Sequence, residues 1–202
     1  MSIASNSSAG SWSLPRFPVR KFTVEEYCRL GATGVLTDED RVELLEGLVV
    51  PKMNRNPPHD ATVSLLQHGI AKWLPDDWHV RIQSAITTED SLPEPDVAVV
   101  RGSPRDYVRS HPRSSQTALV VEVSDSSLAR DREKARLFAR AGIEQYWIVN
   151  LVDDVIEVYS RPLATEPNPA YQQRQVLDRS ASVPLVIDAV EVARIAIADL
   201  LP

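Results

Sequence analysis

Cysteine is nearly absent from this chain: Cys28 stands alone among 202 residues. That excludes a disulfide framework and any zinc or iron–sulfur site built on several thiolates, and it fits a reducing compartment such as the cytoplasm. Glycine is scarce too, at seven, and none of it forms a glycine-rich phosphate loop. Apolar runs such as Val97–Val100 and Leu119–Val121 fall far short of the ~20 residues a membrane span needs, so no membrane partner is expected. Lysine is rare, four against eighteen arginines, and basic residues are outnumbered by acidic ones, 22 to 28. A net charge of -6 excludes non-specific coating of nucleic acid; a polyanion would need a local basic surface or a bridging cation.

What is present describes a globular chain, with 43% hydrophobic and 25% charged residues. Six of the first fifteen residues are serine, none is acidic, and there is no apolar signal core. Residues 1–21 are therefore expected to be a disordered or loosely packed tail. Residues 22–202 are expected to form one domain, with a core over about 40–161 and an extension over 162–202 beginning in a proline-rich loop at Pro162, Pro167 and Pro169.

Local signals give the elements. Thr23 with Glu25 and Glu26 predicts a short capped helix, and Glu46-Gly47 between two apolar stretches predicts a hairpin over 41–50. A helix is expected over 60–74, ending before Pro75, and another over 131–141, with Asp131 at its cap and Gly142 past its end. Strands are expected over 78–85, 96–100, 119–123, 146–150, 155–160, 172–177 and 185–187, and a final helix over 190–200. The order implies a mixed α/β sheet covered by helices.

Two carboxylates sit where apolar residues are the rule. Asp96 opens the run Val97–Val100, and Glu122 interrupts Leu119-Val120-Val121-Glu122-Val123. A strand apolar at every position is normally buried on both faces, and an unpaired carboxylate there costs several kcal/mol or takes up a proton. Either Glu122 emerges into solvent at the strand end, or a cation meets it. Lys134 is the candidate, because Leu137, Phe138 and Ala141 follow it at i+3, i+4 and i+7, whereas Arg132, Arg136 and Arg140 define the opposite, solvated face. The alternative is a lysine that extends outward along the helix start. Two carboxylates and an ammonium offer hard oxygen ligands for Mg²⁺ or Mn²⁺, with a lysine to stabilise charge at a phosphate. A purely structural Glu122–Lys134 salt bridge is the rival, and it implies no metal affinity.

These residues, as an ordered set, resemble a family. Val42-Glu43-Leu44-Leu45-Glu46-Gly47, His59, Pro93-Glu94-Pro95-Asp96, Leu119 to Ser124, Asp131 with Lys134, and Ala141 to Asn150 are similar to the Uma-type restriction endonuclease family of the PD-(D/E)XK nuclease superfamily. The resemblance spans roughly residues 22–160 and implies a restriction-endonuclease-like α/β fold, a mixed sheet flanked by helices with an N-terminal hairpin. It implies hydrolysis of DNA phosphodiesters, with Asp96 and Glu122 holding Mg²⁺ or Mn²⁺, Lys134 as the catalytic lysine and Glu43 as a further acidic residue; the alternative for Glu43 is a surface residue of the hairpin. The chain departs from the superfamily motif at Ser124, where a lysine is usual; Lys134 from the following helix would take that role. His59 would lie behind the metal ligands or face substrate; the alternative is a surface residue at a helix start.

Other features carry less. The four histidines lack zinc-binding spacing, and Ser124, Ser126 and Ser127 lack the turn of a nucleophilic serine. Arg101, Arg105, Arg109 and Arg113 recur every four residues and, with Arg130, Arg132 and Arg136, are the candidates for phosphate contact, on a short helix or a basic loop. Trp73, Trp78 and Trp147 read as core. The expected function is a metal-dependent DNA endonuclease, with a homodimer favoured by double-strand cleavage. The alternatives are a nuclease for RNA and a catalytically inactive nucleic-acid-binding or interaction protein on the same fold.

Overall fold

The computed structural model describes residues 18–165 and 167–202; most of the expected N-terminal tail, Trp12 included, lies outside the described residues. Helix α1 (Val24–Ala32) begins at Thr23, whose side chain accepts from the Glu26 amide while Glu26 accepts from the Thr23 amide, a reciprocal capping box. A two-stranded hairpin follows, β1 (Val42–Leu45) with β2 (Leu48–Pro51). Its turn is Glu46-Gly47, both at positive φ, as a two-residue hairpin loop requires. Helix α2 (Pro57–Ala71) is capped by Asn56 and starts three residues before the expected Asp60, because two prolines suit its first turn.

The central sheet has six strands in the order β3-β4-β5-β6-β7-β8. They are β3 (Trp78–Ile82), β4 (Val97–Arg101), β5 (Thr117–Ser124), β6 (Gln145–Asn150), β7 (Val155–Leu163) and β8 (Ala170–Asp178). Only β5 and β6 run parallel, and the connection between them is helix α3 (Leu128–Arg140). Along the strands, odd and even residues part company. Val97, Val99, Leu119, Val121, Trp147 and Val149 join the α2 side of the core, whereas Ala98, Val100, Val120, Tyr146 and Ile148 join the α3 side. No helix among the described residues is long and apolar enough to cross a membrane.

The C-terminal residues belong to the same core. Strand β8 completes the sheet, and β9 (Ser182–Ile187) pairs with β10 (Val190–Ala196) in a hairpin whose Leu185, Ile187 and Ile195 pack with Val97 and Val121. Leu200 seats over Gly69 of α2, where an added Cβ would lie 2.5 Å from it. The helix expected over 190–200 does not form: 190–196 is strand and only Ile197–Asp199 makes a single 3₁₀ turn. Asp188 and Ala189, both at positive φ, reverse the chain tightly enough for Val190 onward to pair with β9. Helix α3 starts at Leu128 with Ser127 at its cap, so Asp131 lies inside the first turn rather than at the cap. Trp78 and Trp147 are buried, but Trp73 is exposed at the end of α2, a correction to its reading as core.

Candidate active site

The register of the sheet brings the two unusual carboxylates together. Val97 pairs with Val121, so Asp96 and Glu122 each lie one residue beyond that pair, at the same end of neighbouring antiparallel strands. Asp96 Oδ2 accepts from the Val123 amide at 2.9 Å and lies 3.1 Å from His59 Nε2, on the first turn of α2. Both contacts fall on Oδ2. Asp96, Glu122 and His59 are all buried.

Glu122 points to the α3 face and meets Lys134: Nζ donates to Glu122 Oε1 at 2.8 Å and lies 3.0 Å from Glu43 Oε1. The inward position read from helical spacing is therefore where the lysine sits, 8% exposed. Glu43 reaches the same point from the hairpin. Its Oε1 also accepts from Arg130 at 3.0 Å, and its Oε2 accepts from the Glu94 amide at 3.1 Å. The surface alternative for Glu43 does not hold, since it is 2% exposed. Asp131, a turn before Lys134 and also buried, accepts from the hydroxyls of Ser124 and Ser127. Ser124, at the position where the superfamily carries lysine, thus anchors the loop into α3.

The electrostatics are those of excess negative charge. Four buried carboxylates (Glu43, Asp96, Glu122 and Asp131) face two permanent cations, Lys134 and Arg130. Burial pushes the Glu122 carboxyl well above its usual range, against the pull of Lys134, and the nearby Asp96, Asp131 and Glu43 push the same way. Burial raises Asp131 likewise, opposed by Lys134 and the two serines. For Lys134 burial works downward, but Glu122, Glu43 and Asp131 outweigh it and hold the ammonium protonated. At His59, burial is overcome by the hydrogen bond and charge of Asp96, and the imidazole pKa rises.

These groups line one cavity of about 60 Å³, which also touches Lys52, Arg55 and Asp125. Among the described residues, no three His, Cys, Asp or Glu side chains gather into a metal-binding group. That arrangement does not suit a closed zinc site, which takes four protein ligands. Mg²⁺ or Mn²⁺ would need only one or two carboxylates, such as Asp96 and Glu122, with water and phosphate oxygens in the other positions. Asp96 and Glu122 each keep one oxygen outside the contacts just given, and the local excess of negative charge is of the sign a dication offsets.

The remaining sequence candidates lie elsewhere. Arg101 closes the opposite end of β4, roughly 13 Å or more from the site at about 3.3 Å per residue. It stacks on Trp78 and pairs with Asp77 and Asp188. Of the two forms open to these arginines, no helix carries Arg101, Arg105 and Arg109 together: a 3₁₀ turn is confined to Pro104–Tyr107, with Arg105 inside it and Arg109 beyond. The α3 face carrying Arg132, Arg136 and Arg140 is not simply solvated. Arg132 clasps Glu157, Arg136 pairs with Glu46, and Arg140 pairs with Glu46 and Asp90. Arg130, grouped by sequence only with its basic neighbours as a candidate phosphate contact, pairs with Glu43 at the site. Asp131, expected at the helix cap, lies inside the first turn and accepts from Ser124 and Ser127. Glu94 lines the cavity and pairs with Lys52, whereas Gln83 lies outside its lining and accepts from Arg55, which lines it.

A six-stranded mixed sheet flanked by helices is the restriction-endonuclease-like α/β fold that the sequence resemblance implied. The chain belongs to the Uma2 family, described as "Putative restriction endonuclease", whose model matches residues 24–196. Among solved structures it is similar to one titled as a putative nuclease belonging to DUF820 from Anabaena variabilis ATCC 29413. The TM-score is 0.68 and the identity 19%, over 89% of this chain and 97% of that one; the likeness is one of fold. No curated protein matches the chain.

Proposed function

We propose that this chain is a divalent-metal-dependent endonuclease that hydrolyses DNA phosphodiester bonds, with Asp96, Glu122, Lys134 and Glu43 as its site. The observation that carries the reading is the convergence of Glu122 and Glu43 on the Lys134 ammonium, beside Asp96 and within one cavity. Asp96 and Glu122 would hold Mg²⁺ or Mn²⁺, which when bound supplies a more acidic water and Lewis-acid stabilisation of a phosphoryl oxygen.

The chain's own groups do the rest. Lys134, held protonated by its acidic neighbours, presents a compact positive charge to the oxygen on which negative charge accumulates as the P–O bond breaks. Glu43 and Glu122 fix the ammonium from two sides, so little reorganisation accompanies reaction. Arg130 and the Glu94 amide in turn fix Glu43. His59 and the Val123 amide orient Asp96 through Oδ2. Cleavage of both strands of a duplex would favour a two-fold dimer, which light scattering would read.

The test is cleavage of labelled DNA duplexes and matched RNA with Mg²⁺ added or chelated. The reading expects metal-dependent DNA products from the wild type and losses of at least a hundredfold in Asp96→Ala and Lys134→Ala. Intact cleavage in both variants overturns it. The rival, an inactive interaction protein in which Lys134 only ties α3 to the hairpin, draws support from the same two contacts. It expects no heat of Mn²⁺ binding in calorimetry.

A further inference from the structure

A second, larger cleft of about 970 Å³ adjoins the cavity, and Lys52, Arg55 and Glu94 border both. Its far wall is made by α1 and the turn after it, and its near wall by the start of β1. Most arginines near the core are committed to acids, as the α3 row is. Two in this cleft are not. Arg41 donates to the Met53 carbonyl at 3.2 Å, and Arg55 donates to the Gln83 side-chain oxygen. Both arginines are exposed, and among the described residues neither has an acidic partner.

The backbone is strained at the residues that set them. Arg41 has φ 48° and Gln83 has φ 47°, left-handed conformations that non-glycine residues keep where the surroundings hold them, often at binding sites. Gln83 is held by its amide bond to the Asp96 carbonyl at 3.1 Å, which links Arg55 to the strand start that carries the candidate metal ligand. Lys52 and Glu94 cancel each other, and Asp38 is the remaining acid of the wall, against two guanidinium groups with no acidic partner among the described residues. On a chain of net charge -6 this is a local positive strip leading into the catalytic cavity. Its volume is that of a small-ligand pocket, enough for a short flexible strand and too small for a duplex.

We propose that this cleft binds a single-stranded segment of DNA next to the cut phosphate, with Arg41 and Arg55 each neutralising one backbone phosphate. The choice of a phosphodiester strand rests on the nuclease reading above. The test is therefore a binding measurement made in chelator, where no cleavage takes place.

Fluorescence anisotropy of a labelled single-stranded oligonucleotide would be followed against salt for wild type, Arg41→Ala/Arg55→Ala, Arg41→Lys/Arg55→Lys, and Arg194→Ala, a distant exposed arginine. A phosphate contact to a single strand adds about 0.7 to the log–log salt slope, so the double alanine variant should lose about 1.4. The wild type should accordingly lose about sevenfold more affinity than that variant between 50 and 200 mM salt. The double lysine variant and Arg194→Ala should keep the wild-type slope. Equal slopes for wild type and the double alanine variant overturn the proposal, as does an equal loss of slope on a blunt duplex. Arginine-dependent binding by a protein that cuts nothing would keep the cleft and discard the nuclease reading; cleavage with unchanged slopes would do the reverse.

Discussion

Replacing Lys134 by Met removes the donor from two buried carboxylates at once, and the structure says where the cost falls. Glu43 keeps Arg130 and the Glu94 amide, whereas Glu122, 5% exposed, keeps no cation among the described residues. Breaking a buried pair from one side costs about 3–5 kcal/mol. Glu122 can escape only by holding a proton, at about 1.36 kcal/mol for each pH unit above its pKa. Its pKa is already raised by burial in the wild type and rises further without Lys134. A raised folded-state pKa gives stability that is present below the unfolded value, about 4.3, and is lost as pH rises. Urea unfolding, followed by the buried Trp147, should show Lys134→Met nearly as stable as wild type at pH 5 and about 3–5 kcal/mol weaker at pH 8. Glu122→Gln/Lys134→Met should recover to within about 1 kcal/mol of wild type, because no bare charge remains, while losing cleavage entirely. A cost below about 1 kcal/mol at pH 8, or one equal at both pH values, refutes the reasoning.

Other consequences are open to direct measurement. Glu157 is buried between Arg132, Arg174 and the Tyr159 hydroxyl, and joins α3 to β7 and β8. Glu157→Ala should cost about 2–3 kcal/mol in urea unfolding, a figure limited by the two arginines, which are nearly half exposed and regain water. Glu46 and Glu157 share an acid signature: burial works upward on each, but their arginine hydrogen bonds win and lower both pKa values. The stability they give is present above about pH 4.5 and lost as pH falls below it, so thermal scans should show the melting temperature dropping there, less steeply in Glu157→Gln. His59→Ala should lower Mg²⁺-dependent cleavage about 10–100-fold through misorientation of Asp96, with a melting temperature near that of wild type.

Much of the site was legible because it breaks local rules. A glutamate inside a β-branched run and a lysine on the apolar face of its helix are each conspicuous alone, and β5–α3 connectivity sets them 2.8 Å apart. Glu43 lacked such a signal, since alternation along a four-residue strand cannot say whether one face meets solvent or α3. The partners of the α3 arginines were invisible for a different reason: Glu46 and Asp90 lie 90 and 50 residues away from Arg136 and Arg140 in sequence. Among the elements, the Glu46-Gly47 hairpin announced itself by its glycine. The Asp188-Ala189 turn has no glycine, and Val190, Ala193, Ile197 and Leu200 imitate helical spacing. Pairing with β9 and packing against the sheet overrode that pattern.

The central claim is that Asp96 and Glu122 hold a divalent cation next to Lys134. Crystals soaked in Mn²⁺ and measured for anomalous scattering test it most directly, with Asp96→Asn soaked alongside. The account predicts a single strong peak within coordination distance of both carboxylates, absent from the variant. A wild-type site with no peak, or a peak that survives in Asp96→Asn, would contradict it.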